Sequence, residues 1–185
     1  YTEADWNPNN RWLVSDVTGA LGATHTLPYT QVINRTRFFK ERYKIDRPFE
    51  LQQWNDVYIP KTVAATGTLD LRNGDFINVI SGIEGAAWAS HVGLVVRGAS
   101  GELRILHSAE PKVREESLQS FIARYEAREA AADAAGKKRP RLLGFKFLRL
   151  QDEPEPPPMA PQPRPLRWTS MPGSTAASGP QSSNH

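Results

Sequence analysis

The feature that most constrains the fold is a pair of short aliphatic runs joined by a four-residue turn. Residues 92–97 and 103–106 flank Gly-Ala-Ser-Gly at 98–101, a pattern that predicts two adjacent antiparallel strands. His91 precedes the first strand and His107 follows the second. Because the head of one antiparallel strand lies beside the tail of its partner, we expect both imidazoles at the same end of one sheet. A catalytic base and the group that orients it would have to lie there.

The remaining sequence predicts helices first and strands later, which is an α+β pattern. The expected elements are, in chain order, a helix over 28–44, an ambiguous segment over 49–58 that suits a short helix, a strand over 76–80, a small-residue loop over 82–89, a helix over about 116–135 and a closing strand over 143–150. We therefore expect a small antiparallel sheet.

The chain divides near Leu150 into a body and a tail. Residues 151–185 hold nine of the fifteen prolines and almost no large aliphatic residues. Such a segment cannot bury enough apolar surface to offset the entropy lost on ordering. The sequence therefore predicts one domain over 1–150 and a disordered tail over 151–185.

Charge and hydropathy argue against several classes of function. The net charge is only +3, and the basic residues are scattered apart from one run at 137–141, so we expect no nucleic-acid partner. No run approaches the roughly 20 apolar residues of a membrane span. The absence of cysteine excludes disulfides and thiolate metal sites within these residues. Nothing in the composition predicts an oligomeric state.

The histidine pair has a structural and a catalytic interpretation. An isolated histidine at a strand end is more often a hydrogen-bonded structural residue. Gly93 favours the catalytic interpretation, because a glycine inside a strand often marks the close approach of a backbone or a ligand. A zinc site would need a third ligand, and Asp75 and Glu110 are the only carboxylates nearby in sequence. We predict His91 and His107 as catalytic residues, with no metal and no cofactor.

Asp75, Ser90 and Gly93 are the candidates for supporting the site or contacting the substrate. Asp75 ends an Asn-Gly-Asp turn, where its carboxylate would accept backbone amides. Ser90 adjoins His91, but neighbouring residues on a strand point to opposite faces, so its hydroxyl cannot comfortably reach that ring. A serine hydrolase is therefore not expected.

At these residues the sequence resembles the NlpC/P60 superfamily of cysteine peptidases and amidases, and within it the family of unknown function numbered 1460, the N-acetylmuramoyl-L-alanine amidase-like proteins. The resemblance covers about residues 6 to 125. The matching motifs are Asn73-Gly-Asp-Phe-Ile, Ser90-His-Val-Gly-Leu-Val and Leu106-His-Ser-Ala, followed by Lys112-Val and Ser117-Leu, with Trp12-Leu-Val-Ser-Asp-Val-Thr and Tyr58-Ile-Pro upstream.

The resemblance implies a papain-like fold and an amidase that hydrolyses an amide bond in peptidoglycan or a muropeptide, outside the cytoplasm or in the periplasm. The family's nucleophile is a cysteine at the N-terminus of a helix that precedes the sheet, where the thiol pKa is depressed. By the same resemblance His91 is the base, and His107 holds its imidazole in the right tautomer.

This chain departs from the family in having no cysteine. Either the helix that carries the nucleophile precedes Tyr1, as the missing Met and the intact histidine pair suggest, or the chain is an inactive relative that binds wall peptides. A lipid acyltransferase is a third alternative. If the nucleophile helix is missing, we expect an exposed apolar patch near Phe76, Val95 and Leu106, and poor solubility.

Overall fold

The structure, a computed structural model, describes residues 1–83 and 86–155 of the 185. The strands are β1 (Val14–Asp16), β2 (Leu27–Ile33), β3 (Gln52–Pro60), β4 (Phe76–Ile83), β5 (Ala86–Arg97), β6 (Leu103–Ala109), β7 (Lys112–Ser117) and β8 (Arg141–Leu150). The α-helices are α1 (Asn7–Asn9), α2 (Thr18–Gly22), α3 (Arg35–Tyr43), α4 (Lys61–Ala64) and α5 (Leu118–Ala134). A π-helical turn, Thr2–Trp6, precedes α1, and a 3-10 turn, Ala23–His25, follows α2. This mixture agrees with the predicted α+β class.

All eight strands belong to one sheet, part of which closes on itself. β8 pairs with β3 and β4, β4 with β5, β5 with β2, and β2 with β3, so that five strands form a ring. The β2–β5 contact is parallel, through Thr30 opposite Ala86, and the other pairs are antiparallel. β1 extends the sheet beyond β8, and β6 and β7 extend it beyond β5. The expectation of a small sheet was wrong, because β1, β2, β3 and β7 add to the four strands that the sequence predicts.

Helix α5 covers one face of the sheet with an apolar stripe. Ser117 caps its N-terminus, where the side-chain oxygen accepts the backbone N–H of Ser120 at 3.0 Å. Leu118, Phe121 and Ile122 are buried, and they share a core with residues of β4, β5, β6 and β8. The predicted helix is confirmed, although it begins two residues later than expected because Glu116 belongs to β7.

The predicted helix over 28–44 is half wrong. Residues 27–33 form β2, in which Tyr29, Gln31 and Ile33 are buried, a period of two that identifies a strand. The helix begins only at Arg35, after Asn34, whose side-chain oxygen accepts the backbone N–H of Arg37 at 2.8 Å.

The suggested helix over 49–58 is wrong. Residues 52–60 form β3, which pairs with β2 along the whole length of that strand.

The expected loop over 82–89 is also wrong for its described residues, because β4 continues to Ile83 and β5 begins at Ala86. The small residues allow two strands to lie close together. A Cβ added to Gly82 would lie 2.4 Å from the carbonyl oxygen of Ala86.

A buried charged cluster, the Lys146 cluster, lies on the side of the sheet away from α5 and joins Lys146 to Glu3, Asp16 and Asp56. The Lys146 side chain is 0% exposed, and its Nζ donates to Asp16 at 2.7 Å and to Asp56 at 2.5 Å. Glu3 Oε2 lies 3.9 Å from the same Nζ, and Glu3 Oε1 accepts from the side chain of Asn78 at 3.0 Å. Residues 1–10 form helical turns that anchor Glu3 against β4 and β8.

The expected apolar patch near Phe76, Val95 and Leu106 is wrong for Val95, while Phe76 and Leu106 are half-buried. Leu94 lies opposite both Phe76 and Leu106, so these residues share one face, while Val95 points to the other. Val95 is only 1% exposed and belongs to the core beneath α5. The ring of Trp6 packs on that of Phe76, with centroids 5.6 Å apart.

The predicted disordered tail lies mostly outside the described residues, which end at 155. At its start, Gln151 is bound to the body, since its backbone N–H donates to the carbonyl of Leu13 at 2.9 Å. Within residues 1–83 and 86–155, no helix is long and apolar enough to cross a membrane.

Candidate active site

The two predicted histidines meet on the face of the sheet that α5 covers. His91 does not precede its strand but lies in the middle of β5, which begins at Ala86, and His107 lies on β6. The register that pairs Leu94 with Leu106 brings the two residues close together. His91 Nε2 lies 2.9 Å from His107 Nδ1, and the rings are nearly perpendicular, at 88°. The predicted juxtaposition of the rings is confirmed, while their catalytic roles stay predictions.

A carboxylate and a guanidinium extend the pair, and neither is among the residues that the sequence predicts for the site. His107 Nε2 lies 2.9 Å from Glu116 Oε1, which also accepts from Arg124 Nη2 at 2.5 Å. Glu116 is on β7, and Arg124 is nearly two turns into α5. The signal that could have identified Glu116 is the alternation of β7, but the sequence pattern predicts the start of a helix at residue 116.

The surroundings of the histidines are apolar and aromatic. The Phe121 ring lies nearly parallel to that of His91, with centroids 6.4 Å apart, and meets the edge of His107 at 5.3 Å. His107 is 4% exposed, whereas His91 is half-buried. Burial lowers the pKa of His91, and the neighbouring His107 and Arg124 lower it further. The ring is therefore mainly neutral at pH 7, as a base must be.

The Nδ1 atom of His91 is available for a further contact. Its Nε2 is engaged with His107, and within the part of the chain that the structure describes Nδ1 has no hydrogen-bond partner. A group that donates a proton to His91 would therefore do so at Nδ1.

Gly93 lies beside the pair and is required by a close backbone approach. A Cβ at this position would be 2.9 Å from the carbonyl oxygen of Leu106 and from Ile105 Cγ1. The glycine thus allows β6 to lie close enough to β5 for the rings to meet.

Asp75 and Ser90 lie away from the pair. Asp75 is 2% exposed and accepts two hydrogen bonds from Arg149, at 2.9 Å and 2.7 Å, and the backbone N–H of Arg72 at 2.8 Å. It stands four residues before Val79, the residue opposite His91, which is roughly 13 Å along a strand. Ser90 Oγ instead lies 2.7 Å from the Oγ of a serine on β4, at position 81.

Several surface cavities open elsewhere. One of about 710 Å³ is lined by His25 and Arg149 among others, and one of about 590 Å³ is lined by Trp6, Phe76 and Val92 among others. Neither includes His91 or His107. Among the described residues, no group of three or more His, Cys, Asp or Glu side chains is arranged to hold a metal ion.

The fold of this chain is similar to that of proteins of known structure. No protein-family model matches the sequence, and no curated protein matches it. Crystal structures of an N-acetylmuramoyl-L-alanine amidase from Bacteroides uniformis ATCC 8492 match with TM-scores of 0.57 and 0.58, each at 19% sequence identity. The match covers 80% of this chain and 63% of the amidase, so the chain spans less than two thirds of the length of these structures.

Proposed function

We propose that this chain supplies the base and the orienting residue of an enzyme that hydrolyses an amide bond in peptidoglycan by means of a cysteine thiolate. The proposal rests on the 2.9 Å contact of His91 Nε2 with His107 Nδ1, which engages one nitrogen of the base and leaves the other for the nucleophile. The likeness to the amidase structures supports the substrate class. The NlpC/P60-like motifs support a thiolate, because a Cys–His pair is their chemistry.

The 185 residues contain no cysteine, so the nucleophile in this proposal lies on a segment outside them. His91 Nδ1 takes the thiol proton, and the sulfur attacks the amide carbonyl carbon. The C–N bond breaks as Nδ1 returns the proton to the leaving amine, and a thioester remains. Water then attacks the thioester and gives a proton to Nδ1. The C–S bond breaks and Nδ1 passes that proton to the sulfur, which restores the thiol and releases the carboxylic acid.

In this proposal the substrate is peptidoglycan or a muropeptide, and the enzyme works in the periplasm or elsewhere outside the cytoplasm. Gly93 supports the site by letting the strands approach. Asp75 and Ser90 support it at a distance, through the β4 and β5 contacts that fix the position of His91.

The absence of cysteine favours a second candidate, a module that binds wall peptides without cleaving them. The same face would then recognise the peptide, and His91 would contribute a hydrogen bond. The first candidate cleaves its substrate, and the second only binds it.

The decisive experiment uses the natural protein, with any segment that precedes residue 1, and purified muropeptides whose products are identified by mass spectrometry. We expect cleavage that an alkylating thiol reagent and the change His91→Ala both abolish. His25→Ala, at an exposed histidine in the 3-10 turn, is the matched control and should retain activity. Cleavage that survives either treatment would overturn the thiolate proposal, and binding without cleavage would establish the second candidate.

A further inference from the structure

The four polar groups Arg124, Glu116, His107 and His91 form a single hydrogen-bonded row. Each contact joins a nitrogen to a nitrogen or to a carboxylate oxygen, over 2.5, 2.9 and 2.9 Å in that order. Each contact contains one proton, which one of its two atoms carries. The choice of that atom in the first contact therefore determines which atom carries the proton in the next.

Glu116, the second group of the row, accepts hydrogen bonds and donates none. Burial opposes ionisation of Glu116, but hydrogen bonds from Arg124 and His107 lower its pKa below the usual range. An ionised carboxylate has no proton to give, so His107 must carry a proton on Nε2. Because Arg124 already balances the charge of Glu116, the carboxylate needs no second proton on the His107 ring.

The second link follows from the first. With its proton on Nε2, His107 has a lone pair on Nδ1 and accepts there from His91. His91 then carries its own proton on Nε2, and its lone pair lies on Nδ1, the atom without a partner among the described residues.

Arg124 holds the carboxylate in place. Its Nη2 donates to Oε1 and its Nε lies 3.5 Å from Oε2. The guanidinium also stacks over Phe121, 5.2 Å from the ring centroid, which ties Glu116 to the helix that covers the site.

We propose that Glu116, clamped by Arg124, is a positioning residue that sets the tautomer of His107 and thereby places the basic lone pair of His91 on Nδ1. The consequence for catalysis rests on the proposed function, whereas the tautomers themselves do not.

The test is long-range ¹H–¹⁵N NMR of the histidine rings in the ¹⁵N-labelled 185-residue chain at about pH 8, well above the pKa of about 6.5 of a histidine in a model peptide. We expect pyrrole-type Nε2 and pyridine-type Nδ1 signals for both His91 and His107. Glu116→Ala leaves the donor Arg124 facing His107 Nε2, which should reverse both tautomers. Glu116→Gln keeps an acceptor oxygen and should restore them.

Glu115→Ala is the matched control, because Glu115 neighbours Glu116 but bonds to Arg104 instead, and it should leave both tautomers unchanged. The ¹H–¹⁵N amide spectrum of each variant verifies folding. A proton on His91 Nδ1 in the unmodified chain, or tautomers that Glu116→Ala leaves unchanged in a folded protein, would refute the proposal.

In the natural protein, Glu116→Ala should lower kcat by between about 10-fold and 10⁴-fold, the latter being the loss when a base is held in the wrong tautomer, with KM nearly unchanged. If no form of the protein cleaves muropeptides while the tautomers are as stated, the proposed function fails and the tautomer assignment stands.

Discussion

The two imidazoles differ in burial, and the difference separates their contributions to stability. His107 is 4% exposed and bonded on both sides, whereas His91 is half-buried and bonded on one. We expect His107→Ala to lower the free energy of unfolding by about 2–3 kcal/mol, because it opens a cavity and leaves Glu116 without one of its donors. His91→Ala should cost about 1 kcal/mol or less. Urea unfolding of both variants measures the difference, and equal losses would contradict the assigned burial.

Glu3 should make stability depend on pH near neutrality. Burial raises its pKa from 4.5 to about 7 despite the nearby charge of Lys146, and two neighbouring carboxylates add to the rise. When the pKa of an acid is higher in the folded chain than in the unfolded chain, the protonated acid stabilises the fold. This contribution is complete below the pKa of the unfolded chain and is lost as the pH rises through the pKa of the folded chain. The natural chain should therefore lose about 2–3 kcal/mol relative to a Glu3→Gln variant between about pH 5 and pH 8.

Chemical denaturation of both proteins across this range gives the difference in free energy of unfolding. Glu41→Gln, at an exposed position on α3, is the control for the substitution itself. A difference for Glu3→Gln that does not change with pH would mean that Glu3 is not buried beside Lys146.

At the scale of elements, the contact between β5 and β6 depends on Gly93. We expect Gly93→Ala to destabilise the fold by about 1–3 kcal/mol, because the new Cβ would lie 2.9 Å from the Leu106 carbonyl oxygen and the strands would have to separate. Gly19 in α2 offers a matched control, since a Cβ there meets nothing within 4 Å and alanine favours a helix by up to about 1 kcal/mol. Thermal unfolding of the two variants should give shifts of opposite sign.

Elements fixed by local signals could be predicted from the sequence, and elements fixed by distant pairing could not. The hairpin that presents His91 and His107 has a glycine turn and clear aliphatic runs, so its geometry followed directly. β2 was misread because Val32, Ile33, Phe38 and Phe39 suit a helical period as well as a strand that ends at residue 33. β7 is short and mostly polar, so its pairing with β6 was missed, and the position of Glu116 was missed with it.

At the scale of the whole molecule, Lys146 joins parts of the chain that are far apart in sequence. Its partners Asp16 and Asp56 lie 130 and 90 residues away. Lys146→Met should cost about 3–5 kcal/mol, because it leaves partly buried carboxylates without their cation. Lys138→Met, at an exposed position before β8, should have little effect on the urea midpoint. A small loss at Lys146 would show that water solvates these carboxylates in its place.

The ring of strands can close only after β8, its last strand in the sequence, has been synthesised. β8 completes the ring by joining β3 and β4, and it pairs with β1 through contacts such as Val14 with Leu150. A nascent chain still attached to the ribosome can form the β5–β6 hairpin early, but its ring stays open until residues 141–150 leave the exit tunnel. Contacts between such distant residues also slow the final step. The edges of β3 and β4 that pair with β8 therefore stay exposed from the synthesis of these strands until β8 emerges. In this interval a chaperone would shield the exposed edges from aggregation.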